Sequence, residues 1–400
     1  MKNCLVAFIM LFSSISIAQI KTSIIYFSGY EKNINKNPDL FLKVENTLVD
    51  DDFIDDELFD DELLENIVES NYYIEEHTTL REDRLYQNSF YSDLRAKISY
   101  KKEWRYSDFK FSLTPRSRFF YTQEKLNHFI IPGKVLYSFD IFKNIKWENN
   151  VSFAYKERKG FNLDENEAQV PLGYLDVTGN SIFHFKLFKR NKNFLAFHFG
   201  KRDFENTEKK SIYYIRYGAE ISSKKRFKIR SLTHSYGFNA RFSNRNYSIL
   251  KKGKESELVW QYATLGAFYK AYLTKKTALS FNLDYNLRLD KTKNKFGYKE
   301  WSPSLLLSYK ARKYSWSLRG TGIYRSFTTI KARDNDNNKS PLVYKYFKAN
   351  VNGSYKLSKK ISLLIEASIN NRETNNIITS SLAYRTYANF YSGIGISYKI

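Results

Sequence analysis

Leu279-Ser280-Phe281-Asn282-Leu283-Asp284-Tyr285-Asn286-Leu287-Arg288-Leu289 is apolar at every odd position and polar at every even one. Successive side chains of a strand point to opposite faces, so this stretch predicts a strand with one greasy face and one wet face. A helix would bring its apolar residues round at three- and four-residue spacing, and they do not fall that way. The alternation recurs in Phe347-Ala349-Val351-Gly353-Tyr355-Leu357, set against Lys348, Asn350, Asn352, Ser354 and Lys356. It recurs again in Ile361, Leu363, Ile365, Ala367 and Ile369, set against Ser362, Glu366, Ser368 and Asn370.

Moving outward from that stretch, the same reading extends over 89–400, and the connections alternate in length. Short ones fall near 101–105, 143–146, 189–193, 222–226, 274–277, 310–313 and 358–360, mostly rich in Lys, Asn or Ser. Long ones fall near 122–132, 157–173, 203–210, 243–256, 290–299, 325–341 and 371–386. A soluble sandwich has no reason to keep that asymmetry, whereas a transmembrane barrel has tight turns on one side and longer loops on the other. The expected fold class is therefore all-β, a transmembrane antiparallel β-barrel. Fifteen strands are counted between 89 and 400, and single-chain bacterial barrels have even numbers. Asn71–Leu80 (NYYIEEHTTL) is the candidate for the missing strand, giving about 16, with 14 to 18 as the range. Ile24-Ile25-Tyr26-Phe27 reads as a short strand or a simple extension.

Composition agrees. Mean hydropathy is −0.54 although 17% of residues are aromatic, as expected when half of each strand meets lipid and half meets water. No run of 18 or more apolar residues indicates a transmembrane helix. Lys2 followed by the apolar run Leu5–Ile17 and the small residues Ser16-Ile17-Ala18 predicts a signal peptide over 1–18, cleaved before Gln19. Cys4, the single cysteine, lies before that run, so a mature chain would have no disulfide, thiol-metal or thiol-redox site.

Charge divides the expected mature chain. Residues 19–88 hold 18 acidic against 6 basic residues, a net of −12, and the remainder is strongly basic within an overall +23. Residues 19–70 are read as an acidic N-terminal segment and 71–400 as the barrel. Within that segment, Leu48–Glu69 fits one face of an amphipathic helix or a solvated acidic tether. Asp51, Asp52, Asp55, Asp56, Asp60 and Asp61 are the candidate plug residues, set against a basic bore. The competing reading makes the segment a periplasmic tail docking a basic partner.

The chain end carries the one family resemblance. Phe390, Ser392, Ile394, Ile396, Tyr398 and Ile400 share a face, with Tyr391, Gly393, Gly395, Ser397 and Lys399 on the other. Gly395, Tyr398 and Ile400 resemble the terminal strand signal of Gram-negative outer-membrane barrels, with Ile in place of the commoner final Phe. The Lys-, Asn- and Ile-rich composition and the Ala18-Gln19 junction resemble outer-membrane proteins of the Bacteroidota, porin-like, with no specific family. The resemblance implies the cell outer membrane, recognition by the barrel-assembly machinery, and contact with outer-membrane lipid and lipopolysaccharide.

The polar face of each strand must line the bore, because Lys or Arg facing mid-membrane lipid costs about 2–4 kcal/mol. That face supplies Arg95, Lys97, Lys110, Arg116, Arg118, Lys156, Lys186, Arg202, Arg216, Arg241, Arg288, Arg319 and Lys348, with few acids: Asp93, Asp140, Glu220, Asp284, Asp290 and Glu366. Rings of Arg and Lys favour anions. Trp104, Tyr106, Trp147, Tyr155, Trp260, Trp301, Tyr309, Tyr314, Trp316 and Tyr324 are read as interfacial girdles. His77, His128, His184, His198 and His234 show no ligand spacing, and neither a nucleophile elbow nor a phosphate loop occurs, so no catalytic residue, metal or cofactor is expected. The export signal and the alternation argue against nucleic acid as a partner. The expected function is a pore for small anionic solutes. The alternative is a non-enzymatic barrel scaffold of a surface-export or polysaccharide-secretion complex, and a barrel hydrolase ranks third.

Overall fold

The structure, a computed structural model, describes residues 20–32, 34, 42–48, 71–79, 88–162, 167–171, 173–188, 190–204, 210–251, 254–333, 339–377 and 386–400. The barrel begins with β1 (Ile20–Lys32), β2 (Ser89–Glu103), β3 (the runs Ser107–Leu113 and Arg116–Phe120), β4 (His128–Phe142) and β5 (Ile145–Glu157). It continues with β6 (Tyr174–Phe185), β7 (Asn191–Phe204), β8 (Lys210–Ile229), β9 (Leu232–Lys251), β10 (Lys254–Tyr272) and β11 (Thr277–Asp290). The last strands are β12 (Tyr298–Lys310), β13 (Tyr314–Arg333), β14 (Lys339–Lys356), β15 (Ile361–Thr374) and β16 (Tyr387–Lys399). Each pairs antiparallel with its neighbours in sequence, and β16 returns to β1, so sixteen strands close with no free edge. The two runs of β3 are one strand. Pro115 has no N–H and breaks the ladder, but Thr114 N–H to the Pro132 carbonyl and Ala96 N–H to the Pro115 carbonyl, both 2.9 Å, hold the register across it.

One expectation is corrected. The strand that completes the even number is Ile20–Lys32, paired with both β16 and β2, whereas Asn71–Thr79 pairs with Leu42–Leu48 in a separate two-stranded sheet. The physical reason lies in the patterns. In β1 the exposed Ile24 and Tyr26 alternate with the more buried Ile25 and Phe27, as a strand between lipid and bore requires. Asn71–Leu80 carries Glu75 and Glu76 side by side, and a barrel strand would turn one of them to lipid. The acidic stretch is consequently a connection between β1 and β2. Its flanking residues Lys32 and Asn88 lie at the end of the barrel that carries the long loops, while Ile400 donates its N–H to the Thr22 carbonyl at the short-turn end. The signal peptide and the six candidate plug aspartates lie outside the described residues.

The outer face explains where such a barrel can exist. Phe90, Phe197, Phe199, Leu265, Ile365 and Ile394 are all exposed, and partners across the ladder such as Tyr30 beside Phe90, Tyr217 beside Phe199, Tyr285 beside Leu265 and Ile394 beside Ile365 continue the same apolar surface. Apolar patches on water-soluble monomers rarely exceed a few hundred Å², so a whole barrel circumference of them belongs in hydrocarbon. No helix among the described residues is long and apolar enough to cross a membrane. The strands do the crossing.

Candidate functional site

Paired residues in an antiparallel ladder share a face, so register assigns each basic side chain to the bore or to lipid. Arg95, Lys97, Lys110, Arg116, Arg118, Lys156, Arg202, Arg216, Arg241, Arg288, Arg319 and Lys348 all fall on the face opposite the exposed apolar residues. Lys186 does not, since it sits just beyond β6 in the turn to β7. Within the bore the basic residues form three environments, set by which acids and rings share their level.

The first lies at the closing seam. Asp93 on β2 is fully buried and holds Arg95, Arg116 and Arg118 together; its carboxylate accepts from Arg95 Nε at 2.8 Å and Arg118 Nε at 3.0 Å, as well as from Arg116. Arg95 reaches past β1 and β16 to Glu366 on β15 at 2.9 Å, and Arg118 reaches Glu31 on β1 at 2.7 Å. The Arg95 guanidinium lies 4.4 Å from the Phe27 ring centre and that of Arg118 lies 4.3 Å from Tyr91. Gly29 and Gly393 face one another beneath the Tyr91 ring. A Cβ at Gly393 would come within 2.6 Å of the Tyr91 hydroxyl, so glycine is what lets the ring cover the seam. Arg95 ties β2 to β15 across the two closing strands, Arg118 ties β3 to β1, and the charge of all three arginines is met by acids.

The second environment is a belt of alternating arginines and aromatic rings towards the long-loop end. Arg202 lies 4.3 Å from Tyr174 and 5.7 Å from Tyr214, and Tyr214 packs on Tyr247, which packs on Trp260. Arg288 follows at 4.2 Å from Trp260 and 4.5 Å from Tyr298, then Arg325 at 4.3 Å from Tyr298. Arg372 closes the run at 5.7 Å from Tyr346 and 4.6 Å from Tyr387. Each strand places an arginine or ring at alternate positions, and the stagger between strands sets one strand's cation over its neighbour's ring. Contacts of this kind contribute about 0.5–1 kcal/mol each where exposed and about 2 kcal/mol when desolvated. Acids complete some of them: Asp176 accepts from Arg202 at 2.8 Å and Arg216 at 2.7 Å, and Glu300 accepts from Arg325 at 2.8 Å.

A loop roofs part of this belt. Asp290 ends β11, and its carboxylate accepts backbone N–H groups of Thr292, Lys293, Lys295 and Phe296 at 3.1–3.2 Å. That turns the 291–297 loop inward, so that the Phe296 carbonyl accepts from Arg288 Nε at 2.7 Å and its ring packs on Trp260 at 6.5 Å. Trp260 and Arg288 are both 0% exposed. Trp260 belongs to this inner belt and not to the outer girdle that its place near a strand end suggests. It pairs with Arg245 and Asp290 on the bore face, in the same parity as Lys270, and that parity was the signal available in the sequence. The outer girdle does contain Tyr309, Tyr314 and Trp316, stacked at 5.4 and 6.1 Å, and Trp147 stacked on Phe183 at 5.7 Å.

The third environment lies at mid-bore and below, towards the short turns. Lys97, Lys110, Arg241 and Arg319 are exposed there and have no ion pair among the described residues. They face a space ringed by strands and present charge to water. Of the twelve bore-facing candidates, these four are the ones that are exposed and without an ion pair among the described residues.

A closed, sixteen-stranded antiparallel barrel, apolar outside and charged within, defines a protein of the outer-membrane β-barrel class. No family model matches the chain, and no curated protein matches it. Solved structures similar to it include the outer membrane channel DcaP of Acinetobacter baumannii, at 12% identity and a TM-score of 0.41, covering 96% of this chain and 99% of that one. The ferric citrate transporter FecA in its unliganded form gives 7% identity and a TM-score of 0.42 over 96% of this chain; the match spans 64% of the transporter's length. The siderophore receptor PirA from Pseudomonas aeruginosa gives 6% identity and a TM-score of 0.40 over 96% of this chain and 80% of that one.

Proposed function

We propose that the protein is an outer-membrane pore passing small anionic solutes. The observation that carries the reading is the group of bore-facing cations Lys97, Lys110, Arg241 and Arg319, exposed and without ion pairs among the described residues. Sixteen-stranded barrels are wide enough for an aqueous channel. Low-dielectric walls concentrate the field of fixed charges and raise the local anion concentration. Arg95, Arg116, Arg118, Arg202, Arg216 and Arg325 contribute less, since Asp93, Asp176, Glu31, Glu300 and Glu366 pair with them in place.

The test is a reversal potential for the full-length protein in a planar bilayer under a KCl gradient. Chloride over potassium selectivity is expected, and Lys97→Gln, Lys110→Gln, Arg241→Gln and Arg319→Gln together bring it close to unity while conductance persists. A cation-selective wild type, or selectivity unchanged in the fourfold variant, rejects the reading.

A further inference from the structure

The short-turn end of the barrel carries a second concentration of positive charge that the bore does not use. Every one of the seven short turns holds at least two Lys or Arg within or beside it. In the last five turns, around 186–192, 224–231, 273–276, 310–313 and 357–360, there is no Asp or Glu at all. Lys275, Lys276, Arg312, Lys313, Lys359 and Lys360 are the tip cations of three of them, and they stand as three adjacent pairs in the chain. The acidic connection of the molecule leaves and re-enters at the opposite end.

Three observations say what this collar meets. Apolar side chains protrude among the cations: Phe188 is 74% exposed, Phe142 70% and Leu187 65%. A surface that mixes protruding apolar groups with cations matches the boundary between acyl chains and phosphate headgroups. Cations of the collar also lie over rings at the turn end, Lys102 5.2 Å from Trp104 and Lys360 5.9 Å from Tyr398, and Tyr398 is on the outer, lipid-facing side. Finally, Arg190 and Arg230 occupy turn positions at φ 66° and 45°, where Asn or Gly is favoured. Both tight turns keep a cation where backbone conformation selects against it.

We infer that the seven turns form a collar binding the phosphate headgroups of anionic phospholipids in the leaflet at the short-turn end. The ring shape selects this partner. A docking protein would cover a few adjacent turns, whereas a leaflet surrounds the barrel and touches all of them. The inference is independent of what crosses the bore, because it concerns the rim and is measured without current.

The experiment uses the full-length protein in vesicles of phosphatidylcholine with phosphatidylglycerol, one lipid brominated at a time, and reads quenching of tryptophan fluorescence. Trp104 and Trp316 report the turn-end leaflet. Phosphatidylglycerol should be enriched at the protein surface by roughly threefold at low salt, falling towards one as salt rises. Replacing Lys275, Lys276, Arg312, Lys313, Lys359 and Lys360 by Gln should abolish most of the preference, with the heat-modifiable folded band on gels showing that the barrel still forms. Equal quenching by the two lipids in the wild type overturns the inference, as does a preference that survives the six substitutions. Binding of an acidic peptide to the detergent-solubilised protein without any lipid preference overturns it in favour of a protein partner.

Discussion

Asp93 shows how one residue decides whether three cations stabilise or destabilise a barrel. With its carboxylate present, Arg95, Arg116 and Arg118 are drawn together on a fully buried acceptor, and two of them are tied onward to Glu366 and Glu31. Remove the negative charge and three guanidiniums face one another at the strand closure. Breaking a buried pair on one side costs about 3–5 kcal/mol, because the charge left behind has no compensation. Asp93→Asn is therefore expected to lower unfolding stability by that amount in urea titrations of the vesicle-inserted protein. Glu366→Gln should cost much less, since its partner Arg95 keeps Asp93. Equal losses in the two variants would mean that Asp93 is not the hub. Twelve of the thirteen basic candidates were legible in the sequence as a face, because parity alone puts them opposite the apolar row; Lys186 falls in a turn. Their pairing was not legible, since Arg95 and Glu366 are joined only when the sheet closes, and nothing in a linear chain marks residues that closure brings together.

At the scale of elements, the alternation in β11 and β14–β16 is regular enough to be read by eye, and those strands lie where the pattern puts them. β1 was harder to recognise because Ile24-Ile25-Tyr26-Phe27 is apolar on both faces: Ile25 and Phe27 pack against the seam, and so the alternation that marks a half-wet strand is blurred there. Trp260 was misplaced for a related reason, since an aromatic at a strand end suits an outer girdle and an inner belt equally until its parity is checked against Lys270. The loop after β11 reads in the sequence only as a long connection, yet one carboxylate organises it. Asp290→Ala removes the acceptor of four backbone N–H groups, each such bond to a charged group contributing about 1.5–3 kcal/mol. The 291–297 loop should then leave Trp260, and trypsin should cut the folded protein after Lys291, Lys293 or Lys295 at least roughly tenfold faster, as local opening becomes cheaper. Cleavage at the wild-type rate would show that the loop is held by something other than Asp290.

For the whole molecule, the decisive event is the meeting of β16 with β1. Until it happens, two strand edges are open and every apolar residue of the outer wall is attached to an unclosed sheet, which cannot persist in hydrocarbon because its backbone groups lack partners. β1 supplies the missing partner for both edges, with Phe27 opposite Gly395 on one side and Asp93 on the other. The glycine pair Gly29 and Gly393 then admits Tyr91 over the joint. The identity of the first strand thus has a consequence that separates it from Asn71–Leu80, the segment the even strand count suggests. A chain lacking residues 71–80 loses only one strand of a separate two-stranded sheet and should still give a compact, heat-modifiable band in detergent gels and insert into vesicles. A chain lacking residues 20–32 should do neither, because fifteen strands leave β16 and β2 without a partner between them. If the second deletion folds and the first does not, Asn71–Leu80 is a wall strand after all, and the seam built on Phe27, Gly29 and Glu31 is not where the barrel closes.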